Sequence, residues 1–332
     1  MCQPCKDAIC GESCDTDCPL TWAVEHKQNV INSHQIMVVE GKRLPHDKSI
    51  ILIDNAEGEI GSVLGVITNA SETLSLHRKA VGAMEYHRIV TKNRAMRDMM
   101  SMIEEAAPTD APVLITGETG TGKELMAVAV QRLSRRSNQP FVKINCSALT
   151  ESLLESELFG HVRGAFTGAV ANYPGKFKSA DKGTIFLDEV EEMSPGLQAK
   201  LLRVLENQEY EPVGSNRLEK VNVRIIASTN IDLAQMIQSG GFRSDLYYRL
   251  NVIRMDVPPL RRRKEDISVL IEHRLSDLRE KYGKGISSVS TRALTVLESY
   301  DWPGNVRQLF GALEYAFLRC KSTRIERKDL PP

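Results

Sequence analysis

The chain of 332 residues is longer than one ordinary globular domain, and its 42% apolar content is ample for a buried core. Lysine plus arginine equals aspartate plus glutamate at 43 each, so net charge gives no argument for a surface built to coat nucleic acid. No apolar run is long enough to cross a bilayer, and Met1-Cys2-Gln3-Pro4-Cys5 does not read as a secretory signal, so the expected location is the cytoplasm.

The first feature along the chain is a cysteine cluster. Cys2, Cys5, Cys10, Cys14 and Cys18 are five of the seven cysteines. In a reducing compartment such thiols are free for a metal, an iron–sulfur cluster or redox chemistry rather than a structural disulfide. Their spacing matches no standard zinc or ferredoxin pattern, so the alternative is that they pack a shortened domain as spare thiols. Cys146 and Cys320 lie in apolar or helical surroundings and read as small buried hydrophobes.

Ile36–Glu40, Ser49–Asp54 and Ile60–Ile67 read as strands, separated by a turn at Gly41 and another over 55–59, and together predict a small antiparallel meander. Residues 72–88 read as a charged helical connector. Beyond about 90 the pattern changes, with Met96, Met99, Met100 and Ile103 at helical spacing. Apolar runs at 113–116, 141–145, 184–187 and 223–228 predict buried strands with helices between them, which means an α/β fold with a parallel sheet covered on both faces. After Pro258-Pro259 no strand signal remains. Helices are predicted at 264–282, 290–299 and 304–319, a small helical subdomain. There is no internal repeat.

Chemistry concentrates in the α/β part. Gly117-Glu118-Thr119-Gly120-Thr121-Gly122-Lys123 follows a strand and precedes a helix. In that context the glycines let backbone N–H groups wrap phosphate oxygens, the helix start adds a positive end, and Lys123 reaches the terminal phosphates. Glu124 stands where many such loops place a hydroxyl that binds magnesium. Asp188 and Glu189 end the third strand of this sheet; the first can hold Mg2+ and the second can polarise an attacking water. The alternative there is an ordinary acidic strand end. Ser228-Thr229-Asn230 closes the fourth strand, where ligands bind in such sheets; Asn230 could equally cap the next helix. Arg243 and Arg249 suit a phosphate, but on sequence alone they pair with Asp245 or other nearby acids. Arg307, in the turn-to-helix segment 301–309, is either a surface ion-pair former or a phosphate ligand. Gly164-Ala165-Phe166-Thr167-Gly168-Ala169 is a rare six-residue loop, with an aromatic anchor between glycines that permit refolding.

Residues 88–330 resemble the central AAA+ domain of the sigma-54-dependent bacterial transcription activators. The resemblance rests on GETGTGKE at 117–124, ELFGHVRGAFTGA at 157–169, GTIFLDEV at 183–190, FRSDLYYRLNV at 242–252 and WPGNVRQL at 302–309. It implies an ATPase that remodels the sigma-54 RNA polymerase closed complex, working as a ring, commonly a hexamer. Gly117 to Glu124 would bind ATP, Asp188 would hold Mg2+ and Glu189 would activate water. Asn145 would restrain that glutamate, and Thr229 and Asn230 would sense the γ-phosphate. Arg243 and Arg249 would be offered to a neighbouring subunit's ATP, with Arg307 a second sensor. The 164–169 loop, tipped by Phe166 and Thr167, would touch sigma-54.

By the same resemblance the domains are expected at 1–75 (a partial PAS-like α+β sensor region with the cysteine cluster), 76–88 (a helical linker), 89–258 (the ATPase α/β subdomain) and 259–332 (a helical lid). The helix-turn-helix that most members carry is not seen, so no dedicated DNA-binding domain is expected. The competing readings are a signal-responsive regulator that binds sigma-54 or joins rings, and an AAA+ remodeller of another protein.

Overall fold

The computed structural model describes residues 19–28, 30–39, 42–55, 60–69, 84–86 and 89–332. Cys2, Cys5, Cys10, Cys14 and Cys18 lie outside the described residues, as does most of the 72–88 connector. The chain falls into two compact units: residues 85–267 with 300–309, and residues 268–299 and 310–332 with the chain up to 84.

In the second of these units, helix α1 (Pro19–His26) lies against the first strands of an antiparallel meander, with Ala23 and Ile50 buried. The strands are β1 (Val30–Val39), β2 (Lys42–Asp54) and β3 (Ile60–Asn69), paired in that order. They are the three predicted strands, each longer than its apolar run because pairing carries the ladder into polar neighbours. One expectation fails nearby: residues 84–86, placed in a helical connector, form strand β4 (Met84–Tyr86), paired with β5 (Ile89–Thr91).

The larger unit opens with α2 (Arg94–Ala106). Asn93 caps it by accepting from the Met96 N–H, and Met96, Met99, Met100, Ile103 and Ala106 form its buried stripe. Then follow β6 (Val113–Thr116), α3 (Lys123–Leu133), β7 (Phe141–Asn145), α4 (Glu151–Phe159), α5 (Gly175–Ser179), β8 (Thr184–Asp188) and α6 (Pro195–Asn207). A two-residue pair, β9 (Glu209–Tyr210) with β10 (Glu219–Lys220), precedes β11 (Arg224–Thr229), α7 (Leu233–Gln238), α8 (Ser244–Leu250) and β12 (Ile253–Asp256). Five strands form one parallel sheet in the order β12-β6-β11-β8-β7.

Successive strand residues point to opposite faces, and the core divides accordingly. Val113, Ile115, Phe186 and Ile226 pack with the stripe of α2 and with Met126, Ala127 and Val130 of α3. Leu114, Ile185, Leu187, Ile225 and Ala227 pack with Leu154, Leu158 and Phe159 of α4 and with residues of α6 and α8. Both faces are covered, as the continuous apolar runs predicted. The fifth strand, β12, was not anticipated. Only Ile253 and Met255 are apolar, while Arg254 and Asp256 alternate with them and pair at 2.8 Å on this edge strand.

Arg224 stands inside the sheet, almost fully buried, and donates to the carbonyls of Ala107 (2.7 Å) and Ala106 (3.0 Å). A cation therefore sits at the C-terminal end of α2, where the helix dipole favours it. Burial nonetheless pulls its pKa down, because nearby Asp110 compensates only in part. Arg224→Ala removes two charge-assisted bonds and leaves a cavity, so chemical denaturation is expected to show a loss of about 3 kcal/mol.

α9 (Asp266–Tyr282), α10 (Thr291–Ser299) and α11 (Asn305–Arg319) are the three predicted C-terminal helices; they belong to the other unit except for residues 266–267 and 305–309, which belong to the larger one. Glu314 of α11 accepts from Arg274 Nη2 (2.7 Å), Lys281 Nζ (2.8 Å) and Tyr282 Oη (2.5 Å), tying α11 to α9. The expectation of no strand after 258–259 is corrected by a short parallel pair, β13 (Ser288–Val289) with β14 (Arg324–Ile325). Two-residue strands have no periodicity to read.

Candidate functional site

The carboxyl ends of β6, β8 and β11 converge, and the residues singled out in the sequence lie on the loops that leave them. Gly117 N–H donates to Thr229 O at 3.2 Å, joining the 117–123 loop to the end of β11. A Cβ at Gly120 (φ +80°) would overlap the Gly304 carbonyl, so only glycine fits that close approach. The backbone N–H groups of Gly120, Gly122 and Lys123 take no acceptor among the described residues, and α3 starts at Lys123. That row of unspent donors at a helix N-terminus is an anion cradle.

Lys123 is only 8% exposed, and its ammonium donates to Gly117 O (2.7 Å) and Glu118 O (3.3 Å). Burial lowers its pKa, opposed by the nearby charges of Asp188, Glu191 and Glu189. A buried ammonium whose acceptors are two backbone carbonyls, beside free N–H groups, fits a polyphosphate. Glu124 departs from its expected place: its carboxylate pairs with Lys143 at 2.8 Å on the surface, so only its backbone belongs to the cradle.

Asp188, at the end of β8, accepts from the Ser228 hydroxyl, and its other oxygen takes no donor among the described residues. An unspent carboxylate oxygen beside the cradle suits a hard cation such as Mg2+. Glu189 follows in the left-handed region at φ +56°, uncommon for a residue with a long side chain, and accepts from the Ser147 hydroxyl. Asn145 does not bond Glu189 among the described residues. Its Oδ1 accepts from the Ser147 N–H at 2.8 Å, so Ser147 stands between them. Asn230 N–H donates to the buried Glu191 at 3.0 Å, and burial raises the Glu191 pKa. The α7 cap is Asp232, which accepts from Ala234 N–H, not Asn230. Thr229 is buried beneath them.

A latch the sequence did not disclose holds the cradle from behind. Asn305, buried at φ +52°, donates to Thr119 O (3.0 Å) and Glu118 (3.2 Å) and accepts from Leu260 N–H (2.8 Å). The Val306 and Arg307 N–H groups donate to Gly120 O at 3.0 and 3.3 Å. Arg307 therefore belongs to this site, with an exposed guanidinium whose charge is felt at Lys123. Arg261 forks onto Glu118 at 2.7 and 2.5 Å and holds that carboxyl down to about 2. Arg263 donates to Thr121 O at 2.8 Å. The signals were present, in the Asn305 of the 302–309 motif and the basic run 261–264, but nothing local assigned them a partner.

Arg243 and Arg249 are not brought to the cradle. Arg243, which precedes α8, pairs with Asp245 at 2.7 Å, and Arg249 of α8 pairs with Glu206 at 3.1 Å; both are exposed. The first is the pairing the sequence allowed, while Glu206 comes from α6, far along the chain.

The 164–169 loop is the apex of a longer excursion between α4 and α5. Its base is closed by reciprocal 2.9 Å bonds between the His161 and Tyr173 backbones. Gly160 and Gly175 cross back to back there, each without room for a Cβ against the other leg. Val162 N–H donates to Val213 O (3.1 Å) and Val213 N–H to Gly160 O (2.9 Å), adding the 211–215 segment. Toward the apex, Gly164 N–H donates to Ala169 O at 2.9 Å, and Gly168 (φ +104°) has open space around it. Phe166 leans edge-on against the His161 ring at 5.0 Å yet is 42% exposed. Thr167 is also exposed, and Val170 beyond the apex is 82% exposed. An apolar tip offered to solvent on a closed stem is suited to docking.

Residues 89–256 match the family described as Sigma-54 interaction domain, and 261–332 match the AAA+ ATPase lid domain. The transcriptional regulatory protein ZraR of Escherichia coli (strain K12) is 46% identical over 261 residues, 79% of this chain and 59% of ZraR. The Nif-specific regulatory protein of Herbaspirillum seropedicae is 46% identical over 243 residues, 73% of this chain and 45% of that protein. The crystal structure of NtrX from Brucella abortus in complex with ATP is similar at a TM-score of 0.68 and 37% identity, covering 78% of this chain and 57% of NtrX. The chain thus spans between 45% and 59% of the length of these relatives.

Proposed function

The chain belongs to the family of sigma-54-dependent transcription activators, and on that premise we propose that it hydrolyses ATP to remodel the sigma-54 RNA polymerase closed complex. One observation carries the reading. The anion cradle, the Asp188–Glu189 pair and the exposed 164–169 apex belong to one unit, and a single stretch of chain links the last two. It runs from Asn145 and Ser147 through α4 into the loop, and returns through α5 and β8 to Asp188 and Glu189.

In this reading 89–258 is the ATPase α/β subdomain and 259–332 the helical lid. The meander belongs to a sensor region. The unspent N–H groups of Gly120, Gly122 and Lys123 and the Lys123 ammonium hold the triphosphate. Asp188 holds Mg2+, which supplies neutralisation of charge on the phosphates. Glu189 orients a water in line with the γ-phosphorus and takes its proton as the bond to the β-phosphate oxygen breaks. Thr229 and Asn230 register whether the γ-phosphate is present, and Arg307 adds positive charge from the other side. Arg243 and Arg249, both exposed, leave their own-chain acids to complete a neighbour's site in a ring. Loss of the γ-phosphate frees the groups that held it, and the rearrangement reaches the loop through α4.

The test pairs an ATPase assay across protein concentration with capture of sigma-54 in the presence of a γ-phosphate transition-state analogue. Thr167→Ala is expected to keep turnover within about twofold while capture falls at least about tenfold, the effect of losing a contact at an interface hot spot. Undiminished capture by that variant would remove the loop from the interface.

A further inference from the structure

Ser147 stands at the centre of the site and no motif marks it. Its backbone N–H donates to Asn145 Oδ1 at 2.8 Å, which fixes the orientation of that amide, because a backbone N–H can only donate. Its hydroxyl has a single proton and two acceptors within reach, the Glu189 carboxylate and the same Asn145 Oδ1 at 2.8 Å. The charged acceptor takes the proton, since hydrogen bonds to carboxylates are the stronger. Glu189 itself sits in a backbone conformation that long side chains seldom adopt.

We propose that Ser147 is a positioning residue that holds Glu189 off the attacking water until the site is engaged. The inference rests on the reading of Glu189 as the group that activates water. When Glu189 turns to the water, the Ser147 hydroxyl rotates onto Asn145 Oδ1, so neither partner is left with an unmet hydrogen bond. Release therefore costs only the difference between a charged and a neutral acceptor, not a whole hydrogen bond, and the contact works as a toggle rather than a lock. Ser147 also opens the stretch that leads through α4 to the 164–169 loop. Whichever acceptor it serves, that choice is made at the root of the loop.

The test is steady-state ATP hydrolysis by the full chain as wild type, Ser147→Ala, Ser147→Thr and Glu189→Gln, with binding of a fluorescent ATP analogue measured alongside. Ser147 is exposed, so its truncation leaves the core intact. Ser147→Ala is expected to raise kcat about tenfold, the scale of one charge-assisted hydrogen bond, with KM and analogue affinity within about twofold of wild type. Ser147→Thr, which keeps the hydroxyl, is expected to restore wild-type kcat. A Ser147→Ala kcat at or below wild type, with Glu189→Gln inactive, overturns the role of Ser147 alone. Wild-type turnover in Glu189→Gln overturns the role of Glu189 and this proposal with it. Failure of the threonine variant to restore kcat also overturns it.

Discussion

Glu189→Gln is expected to lower ATP turnover by about a hundred- to ten-thousandfold, the usual contribution of a positioned general base, while nucleotide affinity stays within about twofold. The amide keeps the size of the carboxylate and still accepts from the Ser147 hydroxyl, so the fold and the left-handed backbone at this position have no reason to change. What is lost is the ability to accept the proton of water. Single-turnover hydrolysis measured beside equilibrium binding separates the two terms. Turnover preserved to within tenfold would place the base elsewhere.

Lys123→Ala is expected to weaken ATP binding by about 2–4 kcal/mol, the cost of truncating one partner of a buried charged contact, or roughly 30- to 1,000-fold in affinity. The nucleotide-free protein should behave differently. Burial depresses the Lys123 pKa in the folded chain, so the folded state holds this proton less tightly than the unfolded state. Stability contributed by such a base rises with pH through that window, and at neutral pH its charge is a net burden on folding. Alanine removes the burden together with two hydrogen bonds to loop carbonyls. Stability without nucleotide should therefore change by no more than about 1 kcal/mol, a typical net value for a hydrogen bond. Stabilisation by ligand is about 2.7 kcal/mol at a hundredfold excess over Kd, and for the variant at that ATP concentration it should fall below about 1 kcal/mol. Thermal denaturation with and without ATP reads both effects, and normal stabilisation of the variant would refute the cradle assignment.

Much of the fold was legible because its cause is local. The buried parallel strands at 113–116, 141–145, 184–188 and 224–229 are runs of apolar residues, and the stripe of α2 repeats at helical spacing. Where two or three residues gain their structure from a partner far along the chain, local pattern is silent. That is the case for β4, β13 and β14, and nearly so for the edge strand β12. The site divides the same way. Backbone-driven features, the glycines of 117–123 and the acids that end β8, were readable as chemistry. Ser147, Asn305 and Arg261 were not, because each has its role only through a residue that folding brings from another segment. Arg243 and Arg249 are the converse: their motif is clear, while within one chain each rests on an acid of its own surface.

The crossing of Gly160 and Gly175 sets how motion can leave the site. With the two legs pinned by reciprocal backbone bonds at His161 and Tyr173, the segment beyond cannot widen or unzip without breaking its own root. Val162, just beyond the crossing, is also tied to Val213 at 3.1 Å, so a pivot of the segment must carry 211–215 with it or break that bond. The throw of the apex is then a matter of leverage against this second anchor. Chain added or removed between 161 and 173 is expected to alter reach at the tip and leave the 117–123 cradle and the Asp188–Glu189 pair as they are.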